Sequence, residues 1–123
     1  IGRLKTPGER SFFYNLNGEQ IGRLPTHPIE EEGVVPILFR RYPNLFGDLS
    51  DGSAYNALAR DESYGPRFVE EFQDRLYFGT DICFPTMPVP LPDLLIRWRD
   101  QGKISRTAFR KVAYENGAEL LGI

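Results

Sequence analysis

The sequence predicts a mixed α/β fold with two parallel strands, and three observations carry that expectation. Apolar residues at helical spacing alternate with two short apolar runs, 44–50 and 76–82. A helical stripe of Phe68, Val69 and Phe72 lies between the runs, and strand, helix and strand in that order form a right-handed crossover joining parallel strands. Composition agrees with a folded domain, with 41% hydrophobic and 26% charged residues in a chain of 123.

Size then bounds the architecture. Two parallel strands cannot cover both of their apolar faces, and parallel sheets occur almost only with both faces covered. A closed (β/α)₈ barrel takes about 250 residues, roughly twice this chain. The expectation is therefore the tail of a larger α/β fold, or a chain that completes its sheet with another copy of itself. An opening residue Ile1 in place of Met agrees with an upstream part.

The elements follow in order. Residues 1–33 hold Pro7, Gly8, Gly18, Gly22, Pro25, Pro28 and Gly33, and read as a loop-rich segment with 11–14 (SFFY) as an apolar anchor. Val35, Leu38, Phe39 and Tyr42 share one helical face, Pro36 is tolerated in the first turn, and Pro43 stops the helix. Glu30, Glu31 and Glu32 read as its acidic first turn, favourable to the helix dipole. The run NLFGDLS (44–50) reads as a short strand running into a turn-rich DGS. A helix follows Gly65-Pro66, and LYFGTDI (76–82) reads as a buried strand. Pro85, Pro88, Pro90 and Pro92 make a stiff connection. Leu91, Leu94, Leu95 and Trp98 line the next helix, which Gly102 ends. Ser105 caps a final helix with the stripe Phe109, Val112, Ala113 and Leu120. Two segments result: the loop-rich 1–33 and a β/α portion, 34–123.

Several function classes are disfavoured. A net charge of −2 argues against a surface that tracks phosphates, so no nucleic-acid partner is expected. No apolar run approaches the roughly 18 residues of a membrane span, and no membrane partner is expected. A lone Cys83 rules out an internal disulfide framework. A cytoplasmic location is expected. Gly47 and Gly52 have the spacing of a phosphate loop but lack its lysine, and no glycine fingerprint follows a strand.

Asp81 is the sharpest candidate for chemistry. A carboxylate at the C-terminal end of a buried parallel strand faces the end where α/β folds place ligands. It would serve as a metal ligand and as proton acceptor for a metal-activated water; the competing reading is a loop cap at the strand exit. Cys83, two residues on, is expected on the same side as a buried, inert thiol. Asp48 and Ser50 would rim the same mouth as hydrogen-bonding scaffold. Tyr55 and Asn56, on a loop beyond, are candidate substrate contacts. His27, between prolines, is either a substrate contact or an exposed loop histidine.

Four blocks in order, YPNLFGDLS (42–50), YNAL (55–58), RLYFGTD (75–81) and YEN (114–116), resemble the C-terminal section of amidohydrolase-related proteins, the amidohydrolase-2 group of the metal-dependent amidohydrolase superfamily. The resemblance spans 33–123. It implies a TIM-like (β/α)₈ barrel with 44–50 as the seventh strand and 76–82 as the eighth. It also implies that Asp81 binds a divalent ion, Zn²⁺ by expectation, and shuttles the proton of the attacking water. The implied activity is hydrolysis of an amide, ester or lactone, with decarboxylation or hydration as related alternatives. That family also uses a His-x-His pair and further histidines on other strands. This chain has one histidine, His27, which matches none of those motifs. A catalytic zinc takes about three protein ligands, so the expected partners are a small-molecule substrate and either the missing N-terminal half of a barrel or a second copy. The contrasting reading is a non-enzymatic half-barrel that associates with itself or a partner chain.

Overall fold

The structure, a computed structural model, describes residues 26–123; the apolar anchor expected at 11–14 lies outside the described residues. The elements are α1 (Val34–Arg41), β1 (Gly47–Asp48), α2 (Asp51–Ala59), α3 (Gly65–Phe72), β2 (Leu76–Tyr77), α4 (Leu91–Asp100), α5 (Arg106–Arg110) and α6 (Asn116–Leu121). A 3₁₀ turn, Gln73–Arg75, leads into β2, and a π-helical turn, Lys111–Glu115, joins α5 to α6. The strands pair in parallel, Gly47 opposite Leu76 and Asp48 opposite Tyr77. The mixed α/β class and the parallel pair are as expected.

The ladder is shorter than the apolar runs. Only 47–48 of 44–50 and 76–77 of 76–82 are strand, with one further bond from Leu49 N–H to Tyr77 O at 2.8 Å. A strand inside a large sheet is held on both edges. Here β1 has only β2 beside it among the described residues, so pairing ends after two residues. Residues 78–90 therefore run irregularly, and Ile82, expected inside, is exposed.

One face of the pair is packed and the other is open. Leu76 and Leu49 are buried, and Gly47 sits so close to the Phe39 ring that a Cβ there would lie 2.9 Å from Phe39 Cζ. Phe39, Phe68 and Phe72 form a ring cluster, with centroids 4.9 to 6.0 Å apart. Strand alternation sends Phe46, Asp48 and Tyr77 the other way. There Phe46 is 53% exposed, although its ring lies 5.8 Å from that of Tyr77. A shallow cavity of about 480 Å³ opens on this face, bordered by Phe46, Asp48, Tyr77, Gly79 and Leu120.

Arg75 ties the start of β2 to the end of α1. Its Nη1 donates to Phe39 O at 2.7 Å and Tyr42 O at 3.0 Å, and its guanidinium lies over the Phe39 and Phe72 rings. Carbonyls at a helix C-terminus lack intrahelical partners, and a cation meets them favourably.

Behind this layer, Trp98, Leu94 and Leu95 of α4 pack with Leu58, Val69, Ile104 and Val112 in the core. Gly102, at φ +69°, follows α4 as expected, and the Ser105 hydroxyl accepts Ala108 N–H at 3.0 Å as the cap of α5. Three expectations are corrected. Residues 51–53 open a helix, α2, instead of a turn. No acidic residue lies in the first turn of α1, because Glu32 turns back to meet Arg40. Leu120 is 70% exposed, because the π turn shifts the helical phase after Val112 and carries it off the core side.

Candidate functional site

The C-terminal ends of the two strands meet around Gly79. Asp48 Oδ1 accepts Ser50 N–H at 2.8 Å, an arrangement that turns the chain from β1 into α2. A Cβ on Gly79 would lie 2.9 Å from Asp48 Oδ1 and 3.0 Å from Ser50 Cβ. Only a residue without a side chain lets β2's continuation pass this closely. Asp48 and Ser50 are thus joined by a side-chain-to-backbone hydrogen bond at this rim.

Asp81 lies two residues beyond Gly79. It is exposed and holds φ +51°, a left-handed conformation that Asp tolerates better than most residues. The expectation of a carboxylate ending a buried strand is corrected: β2 ends at Tyr77, and Asp81 stands four residues further on. Cys83 is exposed, not buried, and its thiol donates to Asp81 O at 3.3 Å.

The other candidates sit apart from this rim. Tyr55 and Asn56 lie on α2, not on a loop, both partly buried, with Tyr55 packed against the core. His27 is partly buried, its Nδ1 2.8 Å from Pro28 O, in a segment that Asp61 holds by accepting Ile29 N–H at 2.9 Å. Among the described residues, no three His, Cys, Asp or Glu side chains gather where they could hold a metal ion. These residues alone do not fit a catalytic zinc, which takes about three protein ligands.

Sequence reasoning missed a polar cluster on the helical side. The Arg40 guanidinium bridges Glu32 at 2.6 Å and Glu71 at 2.5 Å, and the buried Tyr64 hydroxyl donates to Glu32 Oε1 at 2.8 Å. Its members come from three separate stretches, so no local spacing signals it. The Arg40 hydrogen bond, and then that of Tyr64, hold the Glu32 carboxyl down at about 2. Burial and the Glu32 hydrogen bond push the Tyr64 hydroxyl up.

A depressed carboxyl pKa contributes stability that is fully present above the unfolded value, near 4.5, and lost as pH falls through the folded value near 2. The pair is about a third or more exposed, so solvent screening limits the effect to about 1 kcal/mol. Urea unfolding at pH 5.5 and pH 2.5 should show this loss, and Glu32→Gln should reduce the difference between the two. An unchanged difference in Glu32→Gln would remove Glu32 from the acid response.

No helix among the described residues is long and apolar enough to cross a membrane. Comparison with protein-family models, with curated proteins and with solved structures gives no match.

Proposed function

We propose that this chain is the C-terminal β/α portion of a metal-dependent hydrolase with an amidohydrolase-like barrel. Its substrate would be an amide, ester or lactone. Asp81 would be one ligand of a divalent ion, Zn²⁺ by expectation, and the acceptor of the water's proton. The observation that carries this reading is the parallel pair with one packed and one open face. The open face and the C-terminal rim belong to the same surface, as on the inner side of a barrel, where ligands bind at the strands' C-terminal ends. On this reading the exposed Asp81 would be surrounded once further strands stood beside the pair. No three metal-ligating side chains gather among the described residues, so on this reading the other holders of the ion would come from outside them.

A second reading has its own observation. Phe46, Tyr77 and Leu120 border an open apolar face, the kind of surface through which a non-enzymatic half-barrel would associate with itself or a partner chain. Metal analysis separates the two. The purified chain by itself should carry well under one zinc per molecule, and the product of an extended reading frame that supplies His-x-His should carry about one. A metal-free oligomer as the only product of the gene would favour the second reading and reject the first.

A further inference from the structure

The C-terminal helix is bonded to β2 at two heights. Asn116 is buried, at 8% exposure. Its Nδ2 donates to Gln73 O at 2.7 Å and to Leu76 O at 2.8 Å, across the start of the strand. At the other end, Phe78 N–H donates to Val112 O at 3.1 Å. Val112 belongs to the π turn, where the wider hydrogen-bond spacing disturbs the ordinary helical ladder and lets a carbonyl bond outside the helix. The same turn sets the angular position of the residues after it and so brings Asn116 to face the strand.

These two contacts hold the edge of β2 that faces away from β1. Among the described residues no strand but β1 lies beside β2, and a two-residue ladder by itself fixes register weakly. Phe78 directly precedes Gly79, whose backbone passes against Asp48 and Ser50. A slide of β2 along its axis would carry Gly79 out of that gap and press a neighbouring side chain into it.

We propose that the π turn and α6 form a register clamp for β2, with Asn116 as the positioning residue that sets the height of Gly79 and Asp81 on the rim. Its relevance to catalysis rests on the reading of Asp81 as a metal-facing carboxylate; the clamp itself does not.

Native-state hydrogen exchange on the whole chain tests it. In Asn116→Ala, the Phe78 and Leu49 amides should exchange about 10-fold or more faster, beyond any change at Leu94 and Leu95 of α4. In Ile104→Ala, which removes core packing elsewhere, all four amides should accelerate by a common factor. A merely structural role for Asn116 would give the common factor in both variants, and that result would overturn the clamp. If Asn116→Ala does not fold, the unmutated chain in low urea serves instead. There Phe78 should open together with the amides of α6; opening together with α4 would overturn the proposal. Zinc content of the extended gene product is read separately. A normal clamp with no bound zinc would count against the metal reading alone.

Discussion

Replacing Asp81 by Asn is expected to lower turnover about 1,000-fold or more in a protein that completes the proposed site, because the ligand and proton acceptor proposed above would be lost together. Folding stability should change by no more than about 0.5 kcal/mol, the usual range for an exposed side chain, since the bond from Cys83 goes to the Asp81 backbone and is kept. Asn is the appropriate replacement because it shares the tolerance of Asp for the left-handed backbone at φ +51°. Asp81→Ala would mix backbone strain into the result. An activated ester such as p-nitrophenyl acetate and a set of simple lactones provide the rate measurement, and urea unfolding provides the stability. Full activity in Asp81→Asn would remove Asp81 from the chemistry. Lost activity together with a large loss of stability would instead assign it a structural role.

Trp98→Ala should cost about 3–5 kcal/mol, the largest expected loss of stability in the chain. The ring is fully buried and makes contact with α3: a Cβ on Gly65 would lie 2.6 Å from Trp98 Cη2, and 2.3 Å from Leu58 O. Removing the indole would leave a cavity bounded by two helices whose backbones already meet at Gly65. That leaves little freedom to collapse into the space. The indole Nε1–H has no hydrogen-bond partner in the structure, so it gives nothing back for its burial. Trp98→Phe discards that group and keeps most of the ring, and should cost only about 1 kcal/mol. Equal losses in the two variants, measured by urea unfolding, would show that the site is not governed by packing.

What the sequence made legible is what depends on local pattern. The helices containing Phe39, Phe68 and Trp98 follow from 3.6-residue spacing, and Gly102 marks the end of α4 and Ser105 the start of α5 by backbone and capping chemistry. The parallel pair follows from strand order. Helix α2 was hidden because Asp51-Gly52-Ser53 has the composition of a turn; Asp51 sits at φ +67° and accepts Ser53 N–H at 3.2 Å before the helix becomes regular. Strand length was overestimated because apolar residues in 76–82 signal burial on both faces, and only one face is covered among the described residues.

Long-range contacts left no trace in local pattern. Arg75 reaches carbonyls 30 to 36 positions earlier, and Asn116 reaches back 40 and 43. The same holds for the bridge from Arg40 to Glu71. Of the candidate site, the meeting of Asp48 and Ser50 with the FGTD segment was readable from parallel strand ends. The exposure of Asp81 and Cys83 was not, because it depends on how far the ladder runs. His27 was ambiguous by sequence, and in the structure its Nδ1 lies 2.8 Å from Pro28 O.

The measurement that bears most directly on the central claim is the zinc-to-protein ratio of a protein that joins this chain to the remaining ligands, with Asp81 intact and as Asp81→Asn, after dialysis against a chelator of moderate strength. About one ion retained by the intact protein and clearly less by the variant is the expected pair of values. Equal zinc in both, or none in either, would contradict the assignment of Asp81 as a holder of the ion.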